Sequence, residues 1–155
     1  MKSLRRTCLL FLFVVVCTLM MVSQSQAAVS SHKINAKDFG QFFAVTGTTE
    51  AQMIGGGLLQ GTAAGSYTVT GGTATVLLLD GTVTFTTHKG TLTVTVTGTF
   101  DLTTGDFFAS GPVTDATGKL TGAEGMLTFE GVQDPSGAFV EDITGYILVD
   151  LSPKD

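Results

Sequence analysis

Apolar and polar side chains alternate most clearly along Thr91 to Phe100. Threonine occupies every second position, and the positions between hold Leu92, Val94 and Val96, followed by Gly98 and Phe100. Side chains of a strand point alternately to its two faces, so this period of two predicts an antiparallel strand with one wet and one buried face. Shorter stretches of the same alternation occur at 67–70 and 82–86.

Turn-forming residues separate the alternating stretches at short intervals. Asp80-Gly81 is a strong two-residue hairpin signal, Lys89-Gly90 is a weaker one, and Thr104-Gly105 suits a longer loop. Asp134-Pro135-Ser136-Gly137 has the residues that a type I turn favours. The candidate strands between these breaks are 39–48, 57–62, 66–70, 73–79, 82–88, 91–100, 106–113, 125–132 and 138–150.

These runs predict an all-β fold, a single antiparallel up-and-down barrel of eight strands, or nine if every run pairs. Closing a meander into a barrel removes exposed strand edges, and the short connections favour this over the Greek keys of a two-sheet sandwich. A barrel of the outer-membrane type would need an apolar outer band with aromatic girdles. Here the outer phase is threonine and the chain has no tryptophan, so we predict no transmembrane span in the mature protein.

The first 27 residues have the pattern of a secretory signal peptide. Three basic residues precede an apolar run from Cys8 to Val22, and small residues, Ser25 and Ala27, stand where cleavage requires them. The run is short for a retained membrane anchor, and the valines before Cys17 disfavour a lipid-modified cysteine. We predict a signal peptide at 1–27, a linker at 28–38, the barrel at 39–151 and a tail at 152–155, with a secreted or periplasmic location.

Cleavage would change the chemistry available to the mature chain. Both cysteines would leave, so disulfides and thiolate chemistry are not expected. Three of the eight basic residues would leave and all thirteen acidic ones would stay, making the domain more acidic than the whole chain. Nucleic acids are therefore not expected as partners, because their binding requires clustered Lys and Arg. His32 and His88 share no metal-binding spacing, and no cofactor motif is present, so we predict neither metal nor cofactor.

The segment from Asp115 to Gly125 interrupts the strand rhythm and leads directly into another predicted strand. Thr117-Gly118 is followed by Leu120, and Gly122, Ala123 and Gly125 keep a regular spacing. This segment, 115–131 at its strongest, resembles the Gly-Thr-Gly-x-Phe-x-Gly-Ala-x-Gly motif of the allene oxide cyclase barrel-like and dirigent-like proteins, with Leu120 replacing the aromatic residue. The resemblance extends from Gly98 to Gly131.

The resemblance implies an eight-stranded barrel with a cavity. Members of these families act on hydrophobic small molecules, either by cyclising an oxidised fatty acid or by steering the radical coupling of phenols. The residues that perform those reactions have no clear counterparts in this sequence. A fold also hosts many unrelated activities, so the resemblance favours a cavity more than a particular reaction.

Glu141 is the candidate catalytic residue. It is the polar member of an otherwise apolar strand phase, which continues through Ile143, Ile147 and Val149. If the strand keeps its period, the carboxyl group points inward, where it must be paired or stay protonated, as a general acid or ligand anchor would be. The ordinary interpretation, which we weigh more heavily, places Glu141 in water near the barrel mouth.

Three function classes remain open at this stage. The first is a barrel that binds a small hydrophobic ligand, with a binding surface formed by Phe85, Val94, Val96, Phe129 and Ile143. An eight-stranded barrel is either packed solid or just able to hold one ligand. The second is an isomerase or cyclase that uses Glu141 as its acid or base. The third is a surface-binding or structural protein that acts through its threonine-rich outer face.

Overall fold

A computed structural model describes residues 29–55 and 57–152, which form a closed barrel of eight strands. Each strand pairs antiparallel with its neighbour in the sequence, and the last strand pairs with the first. The strands are β1 Ser30–Phe43, β2 Thr48–Gly55, β3 Gly61–Gly72, β4 Val76–Thr87, β5 Gly90–Asp101, β6 Asp106–Ala116, β7 Glu124–Gln133 and β8 Ala138–Val149. The all-β, eight-stranded, up-and-down barrel is confirmed, and neither a ninth strand nor a sandwich is formed by the described residues.

The strand register explains how the alternation produces the core. In the β4–β5 pair, Phe85 lies opposite Leu92 and Val83 lies opposite Val94, and all four side chains are buried. Apolar positions of neighbouring strands thus coincide on the inner face, where their burial stabilises the fold by about 25 cal/mol for each Å² removed from water. The threonines between them face outward, and their hydroxyl groups pair across strands, as Thr84 and Thr93 do at 3.0 Å.

The hairpin predicted at Asp80-Gly81 is wrong, because both residues lie inside the continuous strand β4. Predicted strands 73–79 and 82–88 are therefore one element. Gly81 lies opposite Tyr67, and a Cβ atom on it would come within 2.6 Å of the Tyr67 ring. The glycine makes room for an aromatic side chain inside the barrel rather than for a turn.

The boundaries predicted for the first strands are also wrong. β1 begins at Ser30, inside the predicted linker 28–38, and pairs with β8 to close the barrel. Ile34, Ala36 and Asp38 point inward along it. The predicted strand 57–62 is instead a short 3-10 helix, Gly57–Leu59, followed by the start of β3. The predicted signal peptide lies outside the described residues, as do the last three residues of the predicted tail.

Other turns agree with the sequence. β4 and β5 are joined by a tight turn that ends at Lys89-Gly90, and Gly105 has a φ of 79°, which is unfavourable for residues other than glycine. In the Asp134 turn, the Gly137 amide donates a hydrogen bond to the Asp134 carbonyl at 2.9 Å. The Asp134 carboxylate accepts a further bond from the Ser136 amide at 2.7 Å.

The two ends of the barrel are built differently. At one end, here called the closed end, two 3-10 helices, Gly57–Leu59 and Gly118–Leu120, bring Leu58, Leu59 and Leu120 into the core. At the other, the open end, the connections are the short turns 44–47, 73–75, 102–105 and 134–137. These turns supply none of the buried core side chains, so only the connections at the closed end insert side chains into the barrel. Within the described residues, no helix is both long enough and apolar enough to cross a membrane.

Candidate functional site

A cavity of about 580 Å³ occupies the open half of the barrel, a size typical of sites that hold one small molecule. Its wall is predominantly apolar and aromatic, and reaches from the turn 44–47 inward to the middle of the barrel. Inward positions that would fill this space hold small residues, among them Gly98, Ala109 and Thr49. The larger inward residues at this end, such as Phe107 and Phe139, form the wall of the cavity and do not fill it.

Aromatic rings form much of the wall. The Tyr67 ring lies against Gly65 and Gly81, since a Cβ atom on either glycine would come within 2.7 Å of it. Phe107 and Phe139 meet edge to face, with ring centroids 6.0 Å apart and planes at 85°. Edge-to-face contact is a favoured geometry for aromatic pairs.

The inner limit of the cavity is formed by Phe129 and Val96. Phe129 stacks on Phe85, with centroids 6.2 Å apart and planes at 11°. Val96 and Phe129, both predicted as ligand-binding residues, therefore line the cavity. The other three residues of that prediction, Phe85, Val94 and Ile143, do not: they are fully buried in the packed core. The prediction could not separate them because all five occupy the same inward phase.

Glu141 points inward and lines the cavity, with 8% of its surface exposed. The interpretation that placed it in water at the barrel mouth is wrong, because β8 keeps its period of two from Phe139 to Val149. Gly131 lies beside it on β7, and a Cβ atom there would come within 2.7 Å of the Glu141 Cβ. The neighbouring glycine therefore provides the space that the glutamate occupies.

Asp38 lies directly opposite Glu141 in the β1–β8 pair and is fully buried. Directly opposed residues of antiparallel strands have Cβ atoms about 4.5–5.5 Å apart, so the two carboxyl groups are neighbours. Sequence analysis missed Asp38 because the segment had been assigned to the linker. The alternation of Ile34, Ala36 and Asp38 with exposed residues was the signal that could have found it.

The carboxyl pair is electrostatically unfavourable in its fully ionised form. Burial raises the pKa of Glu141, and the negative charge of Asp38 raises it further. Burial also raises the pKa of Asp38, and a hydrogen bond from Glu141 partly offsets that increase. As carboxylates the two groups would have no donor between them, and both Asp38 oxygens would be buried without a partner. A proton on Glu141 would supply that donor, so burial and mutual repulsion favour a form in which the pair carries one proton and one negative charge.

Tyr67 is the third titratable group in this region. Burial raises the pKa of its phenol, and the negative charges of Glu141 and Asp38 raise it further, while Thr49 hydrogen-bonds to it. The phenol therefore stays neutral and available as a hydrogen-bond donor.

The residues described as lining the cavity include no Lys, Arg or His. In the described part of the chain, no three His, Cys, Asp or Glu side chains gather into a set that could hold a metal ion.

The segment that carries the family resemblance closes the other end of the barrel. Gly118 and Gly122 have φ angles of 62° and 82°, and Leu120 is fully buried as a plug between the strand ends.

Fold and cavity together define this chain as a closed β-barrel with a cavity that opens at one end and has a carboxyl group in its wall. Comparison with models of known families, with characterised proteins and with solved structures found no match in any of the three. The resemblance to allene oxide cyclases and dirigent proteins stays a prediction.

Proposed function

We propose that this protein is an exported β-barrel that binds one small, mainly apolar molecule in the cavity at its open end. The cavity itself supports this most directly: about 580 Å³ of space, walled by aromatic and aliphatic side chains, within a barrel whose other half is tightly packed. Interiors of proteins are normally filled to crystal-like density, so empty apolar space of this size favours a ligand.

The rim of the cavity adds a second line of support. Val45 and Leu102, on two of the open-end turns, line the cavity and expose large fractions of their side chains. Contiguous exposed apolar surface costs free energy in water and commonly marks a binding site. A ligand that entered between these turns would cover both the rim and the wall.

Reducing the volume of the cavity should weaken binding. Ala109 lines the cavity opposite Phe129 and Gly98, so Ala109→Leu would put a branched side chain into the ligand's space. We expect it to weaken the binding of N-phenyl-1-naphthylamine, a neutral fluorescent probe, by about tenfold or more, equivalent to about 1.4 kcal/mol. Fluorescence titration of the purified barrel measures this effect.

Ala64→Leu is the matched control, because Ala64 is exposed on the outer face of β3 and the substitution adds the same atoms there. It should leave the affinity unchanged. If the wild-type barrel shows no saturable binding of the probe, or if both variants bind it equally well, the proposed function is wrong.

Export is the other half of the proposal and has its own test. Expression of the full chain in a bacterium with an intact secretion system should yield a mature protein whose first residue is Ala28, because the small residues at Ser25 and Ala27 suit signal cleavage. Intact-mass measurement and N-terminal sequencing of the extracytoplasmic fraction identify that terminus. Recovery of only the unprocessed chain in the cytoplasm would contradict export.

A further inference from the structure

The inner face of the β1–β8 pair carries two acids where the outer face carries a matched ion pair. On the outer face, the Lys37 ammonium contacts the Asp142 carboxylate at 2.7 Å. One position further along the same register, Asp38 and Glu141 face inward and no cation accompanies them among the residues lining the cavity. A buried charge is costly unless it is paired, so the inner position lacks the partner that the outer position has.

Aromatic rings lie near Glu141 in the wall of the cavity. Phe139 shares the inward phase of β8 with Glu141, and Phe107 approaches the same place, since a Cβ atom on Gly131 would come within 2.5 Å of its ring and 2.7 Å of the Glu141 Cβ. The Tyr67 ring lines the same cavity. Aromatic faces attract cations, and rings combined with a carboxylate are a common arrangement for recognising ammonium groups.

Charge at the open end has the same sign. The residues that flank the open-end turns include Asp101, Asp106 and Asp134, whereas the lysines of the described chain, Lys33, Lys37, Lys89 and Lys119, lie elsewhere. The Thr103 amide donates a hydrogen bond to the Asp101 carboxylate, and the Ser136 hydroxyl and amide donate to the Asp134 carboxylate, which lowers the pKa of each acid. A rim of negative charge attracts cations and repels anions as they approach the mouth.

From these three observations we infer that the ligand of the cavity is a monocationic amine with an apolar body, its ammonium group held by Glu141, whose carboxyl group is paired with the buried Asp38, and by the neighbouring aromatic rings. This inference rests on the proposed function and specifies the ligand class for the same site. The apolar body occupies the aromatic part of the cavity, and the ammonium supplies the counter-charge that the carboxyl pair lacks. A carboxylate head, by contrast, would add a second negative charge to a buried pair that already carries one.

The test compares three ligands that share one apolar body and differ in head group: decylamine, 1-decanol and decanoic acid. Each displaces N-phenyl-1-naphthylamine from the wild-type barrel at neutral pH. We expect decylamine to bind about tenfold more tightly than 1-decanol, because charge-assisted hydrogen bonds are roughly twice as strong as neutral ones, and decanoate to bind most weakly. No variant is needed for this step, so it does not depend on how any substitution affects folding.

Variants then assign the preference to the carboxyl pair. In the Asp38→Asn/Glu141→Gln double variant, the ratio of decylamine affinity to 1-decanol affinity should fall from about tenfold to about one. Glu130→Gln, an exposed acid on the outer face of β7, should keep that preference and serves as the control. An amine preference that survives in the double variant would overturn the assignment.

The outcomes separate the two proposals. If the barrel binds the neutral probe and 1-decanol as tightly as decylamine, the inferred ligand class is wrong and the proposed function stands. If neither the probe nor any of the three ligands binds, the proposed function fails and the inference fails with it. Tightest binding of decanoate would overturn the inferred charge of the ligand directly.

Discussion

The free energy of unfolding should fall as the pH rises above the ordinary pKa of a glutamic acid, roughly 4.3. The folded barrel raises the pKa of both Glu141 and Asp38, so it retains protons that the unfolded chain has already released. Because the folded state binds more protons, every increase in pH favours unfolding, by at most about 1.4 kcal/mol per pH unit for each proton. This stability is fully present below the unfolded pKa and is lost as pH rises through the folded one.

Urea unfolding of the purified barrel between about pH 5 and about pH 9 measures this slope. Asp101 and Asp134 do not interfere, because the pKa of each is lowered in the folded state and their contribution is lost only at more acidic pH. Glu141→Gln should flatten the slope, whereas Glu130→Gln, on the outer face, should preserve it. A wild-type stability that is constant or rises across this window would show that the pair does not share a buried proton.

Phe129→Ala should lower the free energy of unfolding by about 3–5 kcal/mol, the usual cost of removing a buried phenylalanine side chain. Phe129 is 2% exposed, stacks on Phe85 and separates the cavity from the packed core. Its removal loses both the apolar burial and the ring contact, and leaves a void continuous with the cavity. Thermal and urea unfolding of the variant and the wild type, at equal pH, measure the difference.

Phe39→Ala is the matched control for this second prediction. Phe39 is 50% exposed on the outer face of β1, so its truncation should cost well under half as much. Equal decreases in the free energy of unfolding for the two variants would contradict the assignment of Phe129 to the inner limit of the cavity. A decrease below about 1 kcal/mol for Phe129→Ala would contradict it too, because neighbouring side chains would then have closed the void at little cost in stability.

Local patterns predicted much of the fold because their physical causes are local. The alternation at Thr91 to Phe100 matches β5, and the turns at Gly105 and Asp134 have the backbone geometry that their residues favour. The Asp80-Gly81 prediction failed because a glycine serves two purposes that look identical in sequence. It can adopt a turn conformation, or it can leave room for a neighbouring ring, as Gly81 does for Tyr67.

Of the two carboxyl residues at the candidate site, the sequence predicted one. Glu141 stood out as a polar residue in an apolar phase, and that phase is the one the structure buries. Its partner Asp38 was missed, because the alternation in its segment indicates a strand but not that this strand pairs with the last one. The ligand-binding prediction likewise found the inward phase but not the depth at which packing gives way to open space, so Phe85, Val94 and Ile143 were grouped with Val96 and Phe129.

The sequence alone indicates an all-β domain arranged as one antiparallel meander, with an acidic charge balance and no thiols beyond the N-terminal segment. The strands and turns follow from the side-chain period and the turn residues, which are properties of neighbouring positions. The charge and the absence of thiols follow from composition. The folded barrel was needed to show that its open half encloses a cavity and that Glu141, in the wall of that cavity, meets a second buried carboxyl group. The carboxyl pair depends on the register between the first and last strands, which brings together residues from opposite ends of the chain, and the cavity depends on where the inward positions of several strands come together.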